Sequence, residues 1–362
     1  MRKPHTGVQI PCIVSGVVRF IVEASPFRSS PSGSPMQITL RRFLATAVAA
    51  SGVLASLAAP TCAADFPQKP ITIVVPYTPG GSSDSIARLL GKKLSEQFGQ
   101  PVVVENKPGA GATIGTGYVA KAPADGYTVL LADNAQTTAP ALYQNLPYDA
   151  VSSFKAIGMV GIAPAMLFAG EQTKLRSIKD MRDDRERSKT GFTIGVGSGS
   201  PSHLIAELFQ FQSKINLQLI PYKGASQAAA DVLGGQVALL FSNPASGAQY
   251  IQSGRMNAIG ITGTQRLASF PEVATFREQG VTGLEKVSYW FALLAPAGLP
   301  SDVSQKWEKA LAEALAAPDV ARTLTGLGIT GLDMTPAQMQ SFMTEDRDTW
   351  SKVAKDAGVK LQ

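Results

Sequence analysis

Residues 71–96, ITIVVPYTPGGSSDSIARLLGKKLSE, constrain this chain more than any other stretch, because the hydrophobic period switches there from strand to helix across a glycine-rich turn. Residues 71–75 are apolar and β-branched, which suits a strand buried on both faces. From Ser85 onward Ile86, Leu89, Leu90 and Leu94 recur at helical spacing, a stripe that can pack back onto a sheet with Arg88, Lys92 and Lys93 turned away from it. Gly99 and Pro101 stop that helix. Between the two lie Tyr77, Thr78, Pro79, Gly80, Gly81, Ser82, Ser83 and Asp84. The glycines let a ligand approach the backbone, and the free N–H groups and dipole of a helix start contribute about 0.3–1 kcal/mol toward a negative guest. The same residues also suit an ordinary capped turn, with Ser83 or Asp84 as N-cap.

A chain of 362 residues that is 44% apolar can bury two α/β lobes. Its net charge of +6 invites a nucleic-acid reading until the charges are located. Residues 1–64 hold Arg2, Lys3, Arg19, Arg28, Arg41 and Arg42 against Glu23, so the remainder sets 27 basic against 26 acidic residues, and a nucleic-acid partner is not expected. Arg41 and Arg42, the apolar run 43–57 and the small residues up to Ala63 and Ala64 form the three regions of a secretory signal peptide. Cleavage is expected after Ala63 or Ala64, with export to the periplasm. Met36 directly precedes this signal, so translation is expected to begin there, with residues 1–35 an over-extended reading frame; a genuine N-terminal extension is the alternative. Phe43 follows the arginine pair directly, which favours the general secretory route over a twin-arginine signal, and Ala59-Pro60-Thr61 makes a poor lipobox before Cys62. Both cysteines, Cys12 and Cys62, fall in the leader, and His203 is the one histidine beyond His5, so neither a disulfide nor a zinc site is expected, and no cofactor.

A second strand, 101–105, leads into the glycine-rich turn Gly109-Ala110-Gly111, and a third, 127–132, ends at Asp133-Asn134. Residues 157–168 cross into a second lobe, which repeats the opening design: strand 192–196, the loop Gly197-Ser198-Gly199-Ser200-Pro201-Ser202-His203, then the helical stripe Leu204, Ile205, Leu208 and Phe209. Strands at 217–220, 236–241 and 257–261 alternate with helices starting at Ser226 and Ser246. Residues 287–295 return, and helices follow at 301–316, 319–327 and 335–357, the last opened by Thr335 and Pro336 as N-cap and N1. The mixed-charge run 179–187 reads as a solvated helix face.

Catalytic hardware is sparse. Gly109, Gly111 and Gly115, with Asp133 ending the next strand, resemble a dinucleotide fingerprint, but Asn106-Lys107-Pro108 lengthens the turn and the spacing carries an extra residue. No Gly-x-Ser-x-Gly elbow surrounds Ser198 or Ser200, and His203 fits a helix-capping role more simply than that of a triad base. An exported α/β enzyme acting on a small carboxylate is the alternative that stays open.

Taken together, Pro79-Gly80-Gly81 with Asp84 and Arg88, Glu105-Asn106 with Gly109-Ala110-Gly111, Asp125-Gly126-Tyr127-Thr128, Gly199-Ser200-Pro201-Ser202-His203-Leu204, Glu207-Leu208-Phe209, Pro221-Tyr222-Lys223-Gly224, Gly234-Gly235-Gln236-Val237, Trp290 and Ala295-Pro296 resemble the Bug (TctC-like) family of periplasmic solute-binding proteins of tripartite tricarboxylate transporters. The likeness runs in order over residues 65–362. It implies an α/β, two-lobed periplasmic binding protein of type II-like venus-flytrap form, each lobe a mixed sheet flanked by helices. Residues 65–167 and 289–362 would form the first lobe and 168–288 the second, after an extension and signal at 1–64. The resemblance further implies a receptor that closes on a small organic anion: a di- or tricarboxylate, an acidic amino acid or an aromatic carboxylate. The implied contacts are Thr78, Gly80, Gly81, Ser82, Asp84, Asn134 and Thr137 from the first lobe and Ser198, Gly199, Ser200 and His203 from the second, with no metal. Membrane transporter subunits or a sensor kinase would be the protein partners of a monomeric receptor. Departures from the family pattern are Gly195, Ala238, Ser242, Ala274 and Ser153-Phe154, of which Gly195 and Ser242 bear on ligand choice.

Overall fold

β1 (Ile71–Val75) is apolar because it lies inside a sheet: all but Thr72 are buried. α1 (Ser82–Phe98) follows it, and β2 (Val102–Asn106) returns parallel to β1, Ile71 facing Val102 and Val75 facing Asn106. α1 begins at Ser82, earlier than expected, and its N-cap is Gly81 with no side-chain cap bond. That corrects the expectation of Ser83 or Asp84 as the cap: the Asp84 carboxylate is taken up by Arg88, Asn106 and the Gly80 N–H instead. The C-cap is Gly99 in the left-handed region, φ 63°.

α2 (Thr113–Ala120) precedes β3 (Thr128–Asp133), which pairs parallel to the other edge of β1, and the one-turn helix α3 (Ala135–Thr138) follows. The expected crossing strand proves to be two, β4 (Phe154–Pro164) in the first sheet and β5 (Met166–Gly170) in the second, parted at Ala165. Among the described residues, the mixed-charge run falls in the short helices α4 (Ile178–Asp183) and α5 (Arg187–Thr190). Then come β6 (Phe192–Gly197), α6 (Pro201–Ser213), β7 (Leu217–Tyr222), α7 (Ala225–Leu233), β8 (Leu239–Ser242), α8 (Ala248–Gln252) and β9 (Met256–Ile261). The chain returns by β10 (Ser288–Pro296) and closes with α9 (Ser301–Ala316), α10 (Pro318–Gly326) and α11 (Pro336–Asp356). Thr335 and Gln338 form a reciprocal capping box at the start of α11.

These elements make two mixed sheets flanked by helices, ordered β2-β1-β3-β10-β4 and β7-β6-β8-β5-β9. Parallel strands form one side of each sheet; β10 runs antiparallel to β3 and β4, and β5 antiparallel to β8 and β9. This computed structural model describes residues 66–359 apart from 185, 186, 198, 223 and 357, so the signal, both cysteines and the cleavage site expected within 1–64 lie outside the described residues. Trp307 at the edge of Phe98 anchors the core of the first lobe, and Phe209, Phe241 and Phe276 that of the second. Fully burying side chains of this size stabilises by about 1.5–3 kcal/mol each. Where the chain crosses between the sheets, the buried Thr262 ties the two passages together: its hydroxyl accepts from the Ala165 N–H at 2.8 Å and donates to the Val287 carbonyl at 2.6 Å. Among the described residues no helix is long and apolar enough to cross a membrane.

Candidate functional site

β1, β3, β6, β7 and β8 deliver their C-terminal ends to the space between the two sheets, the crevice where open α/β sheets collect ligands. Tyr77, Asp133, Gly197, Tyr222 and Ser242, at or just past those ends, line a cavity of about 220 Å³. Three helices begin on its wall. α1 brings Gly81, Ser82 and Ser83; α6 brings Ser200 and Ser202; α7 brings Gly224, Ala225 and Ser226. The first N–H groups of a helix have no intrahelical partner and carry the positive end of its dipole, so three such termini make a strong anion cradle. α6 has Pro201 at N1, which takes one donor away from its share. Among the described lining residues none is cationic, and Asp133 alone carries a carboxylate.

The cleft is shut. Thr78 Oγ1 lies 3.2 Å from Ser226 Oγ, and Asn243 Nδ2 donates to Ser82 Oγ at 2.7 Å, both bonds joining one lobe to the other. Nearby, Gly111 at φ 56° passes so close to the second lobe that a Cβ there would stand 2.1 Å from the Gly199 carbonyl oxygen. Only glycine serves at this crossing.

Of the expected contacts, Thr78, Gly81, Ser82 and Ser200 line the cavity. Gly80 lines a neighbouring groove that shares Gly81 and Ser82 with it. Asp84 lies behind the loop, where burial pushes its carboxyl up but the bonds from Arg88, the Gly80 N–H and Asn106 outweigh that and hold it below the usual range. Asn134 is pinned between the Trp290 N–H and the Ser288 carbonyl, and Thr137 donates to Asp346, so both stitch the first lobe together. Gly199 packs over Tyr143 and Gly111 at the rim. His203 sits in the first turn of α6 with Nε2 3.8 Å from Glu207, off the cavity wall, and Ser198 lies outside the described residues.

The structure adds residues that sequence reasoning did not place in the site, chiefly Asp133, Tyr77, Tyr143, Tyr222, Ser226, Asn243 and Tyr289. Asp133 and Ser226 carried a signal, as a strand end and a helix start; the tyrosines carried none. Asp133 is buried, which raises its carboxyl to about 6 against the opposing pull of bonds from Ala135, Tyr77 and Ser83. Burial also pushes the Tyr77 and Tyr289 hydroxyls well up, with Asp133 adding to the shift. The two sequence departures singled out above bear on this wall. Ser242 lines it directly, and Gly195 leaves room for the Tyr222 ring, whose Cε2 would be 3.2 Å from an added Cβ.

Comparison with known proteins points the same way. The family model described as TctC, tripartite tricarboxylate transporter family receptor, matches residues 86–359. Protein BugT of Bordetella pertussis is 35% identical over 312 residues, an alignment spanning 85% of this chain and 95% of BugT. The solved structure of the periplasmic binding protein BugD superposes with a TM-score of 0.78 at 35% identity, covering 82% of this chain and all of that one. R. palustris Rpa4515, solved with adipate, does so with a TM-score of 0.78 at 30% identity over 82% of this chain and all of its own.

Proposed function

We propose that this chain, which belongs to the tripartite tricarboxylate transporter receptor (TctC) family, is a periplasmic receptor that closes on one small carboxylate-bearing solute and delivers it to a tripartite transporter or a sensor. The observation that carries this reading is the convergence of three helix N-termini, one from the first lobe and two from the second, on a single cavity. α1 anchors a carboxylate through the N–H groups of Gly81 to Ser83, while α6 and α7 reach it or a second polar end from the opposite side. Closure expels water, which strengthens each N–H contact by lowering the local dielectric. The hydrogen bonds Thr78–Ser226 and Ser82–Asn243 form only when the lobes meet, so occupancy is converted into a closed shape that a membrane partner can read. The solute classes that the family resemblance brings are di- and tricarboxylates, acidic amino acids and aromatic carboxylates; the adipate bound by the related Rpa4515 is a dicarboxylate.

Titration calorimetry on the mature chain with a panel of such acids tests the reading. One-to-one saturable binding without turnover is expected, whereas steady product formation would favour an exported enzyme. Gly81→Val sharpens the test. Gly81 has an extended φ of −82° and an added Cβ would meet nothing closer than the Thr78 carbonyl oxygen at 3.9 Å, so the variant should fold normally. Its side chain should nevertheless obstruct the α1 terminus and abolish ligand-induced thermal stabilisation; stabilisation equal to wild type would remove this loop from the site.

A further inference from the structure

Among the described residues, the side chains that line the cavity carry a single charged group, a carboxylate, which does not suit a ligand that is negative at every end. Asp133 faces it with 7% exposure, and no described lining residue offsets its charge. Its Oδ1 accepts from the Tyr77 hydroxyl at 2.8 Å and from the Ala135 N–H at 2.9 Å, and the Ser83 hydroxyl also bonds to the carboxylate. Burial raises this carboxyl to about 6 and the three donors gathered on it oppose that shift, so it is largely ionised at neutral pH. Tyr77 and Tyr289 lie beside it, and Tyr143, Tyr222 and Phe241 also line the cavity. Aromatic rings attract cations through their quadrupole, and a carboxylate among them completes a receptor for a positively charged nitrogen. We infer that Asp133 is a specificity-determining residue that receives an amino or quaternary ammonium group, so that the solute is a zwitterion with its carboxylate on the helix N-termini and its nitrogen toward Asp133. This rests on the carboxylate-receptor reading above and narrows its substrate class. A plain diacid would set a second anion against the Asp133 carboxylate, and like charges sharing one site disfavour each other's ionised form.

Among the described residues, Tyr77, from the loop after β1, and Tyr289, on β10, are the titratable groups that face Asp133. Burial drives both upward, so Asp133, at about 6, is the group of the three that changes charge between mild acid and neutrality.

Calorimetry with matched ligands tests the inference: L-glutamate against glutarate, and glycine betaine against tert-butylacetate, alongside the wider carboxylate panel, at about pH 7.5 and about pH 5. At the higher pH the nitrogen-bearing acids should bind about tenfold more tightly or better. The preference should shrink at the lower pH and vanish in Asp133→Asn, which keeps an acceptor for Tyr77 and Ala135. The wild-type pH comparison decides the matter even if the variant folds poorly. Tighter binding by acids that lack a cationic nitrogen, strengthening toward pH 5, overturns the inference and leaves the carboxylate receptor standing. Failure of every carboxylate in the panel to bind overturns both.

Discussion

At the residue scale, Asp133 and Asp84 show how the same side chain acquires opposite properties. Burial dominates at Asp133 and raises its carboxyl to about 6; hydrogen bonds dominate at Asp84 and lower it. A carboxyl raised in the folded state above its unfolded value, near 3.9, contributes stability that is fully present below about pH 4 and is lost as the pH rises through about 6. Asp133→Asn removes this titration. Relative to that variant, the wild type should therefore lose about 2–3 kcal/mol of stability between about pH 4 and about pH 7. Denaturant unfolding of both proteins across that range measures the difference, and a difference independent of pH would show that Asp133 is solvated in the folded state. In the sequence, Asp133 is marked only as a strand end. Its burial depends on β10 pairing with β3 and on Tyr289, contributed from far along the chain, which no local pattern announces.

At the scale of elements, the strand, glycine-rich turn and helix units of both lobes are legible because the hydrophobic period changes across each turn, and α1 and α6 lie where that change puts them. Which side chains face the cleft is less legible. Asn134 and Thr137 have the polar, small-residue character of ligand contacts, yet their hydrogen bonds to Trp290, Ser288 and Asp346 turn them into scaffold. The third helix terminus, α7, is visible as a helix start but not as part of the site, because β7 must first pair with β6 to bring it there. Gly195, on β6, is the hinge of that packing: a Cβ would lie 2.8 Å from the Ala228 Cβ on α7 and 3.2 Å from the Tyr222 ring. Gly195→Ser should cost about 1–3 kcal/mol of stability by overpacking and, by displacing α7 and Tyr222, weaken ligand binding. Thermal unfolding and calorimetry on the variant check both effects; unchanged values would mean that α7 accommodates the serine without moving.

At the scale of the whole molecule, the two-lobed α/β form follows from the alternation of apolar strands and amphipathic helices, but the hinge and the latch do not. Thr262, which clasps both interlobe passages through the Ala165 N–H and the Val287 carbonyl, lies in a stretch with no distinguishing pattern. The latch joins Thr78 to Ser226 and Ser82 to Asn243, pairs 148 and 161 residues apart along the chain and recognisable only once the lobes have closed. On the proposed reading, these contacts and the helix termini would make one device: a charge gripped by backbone N–H groups, the grip holding the lobes shut. A crystal structure of the mature chain with a carboxylate that calorimetry shows to bind tests this most directly. The expected result is a closed cleft in which a solute carboxylate lies within about 3 Å of N–H groups at the start of α1 and is held from the other side by the starts of α6 or α7. A solute bound outside this cavity, or one whose carboxylate makes no contact with α1, would contradict it.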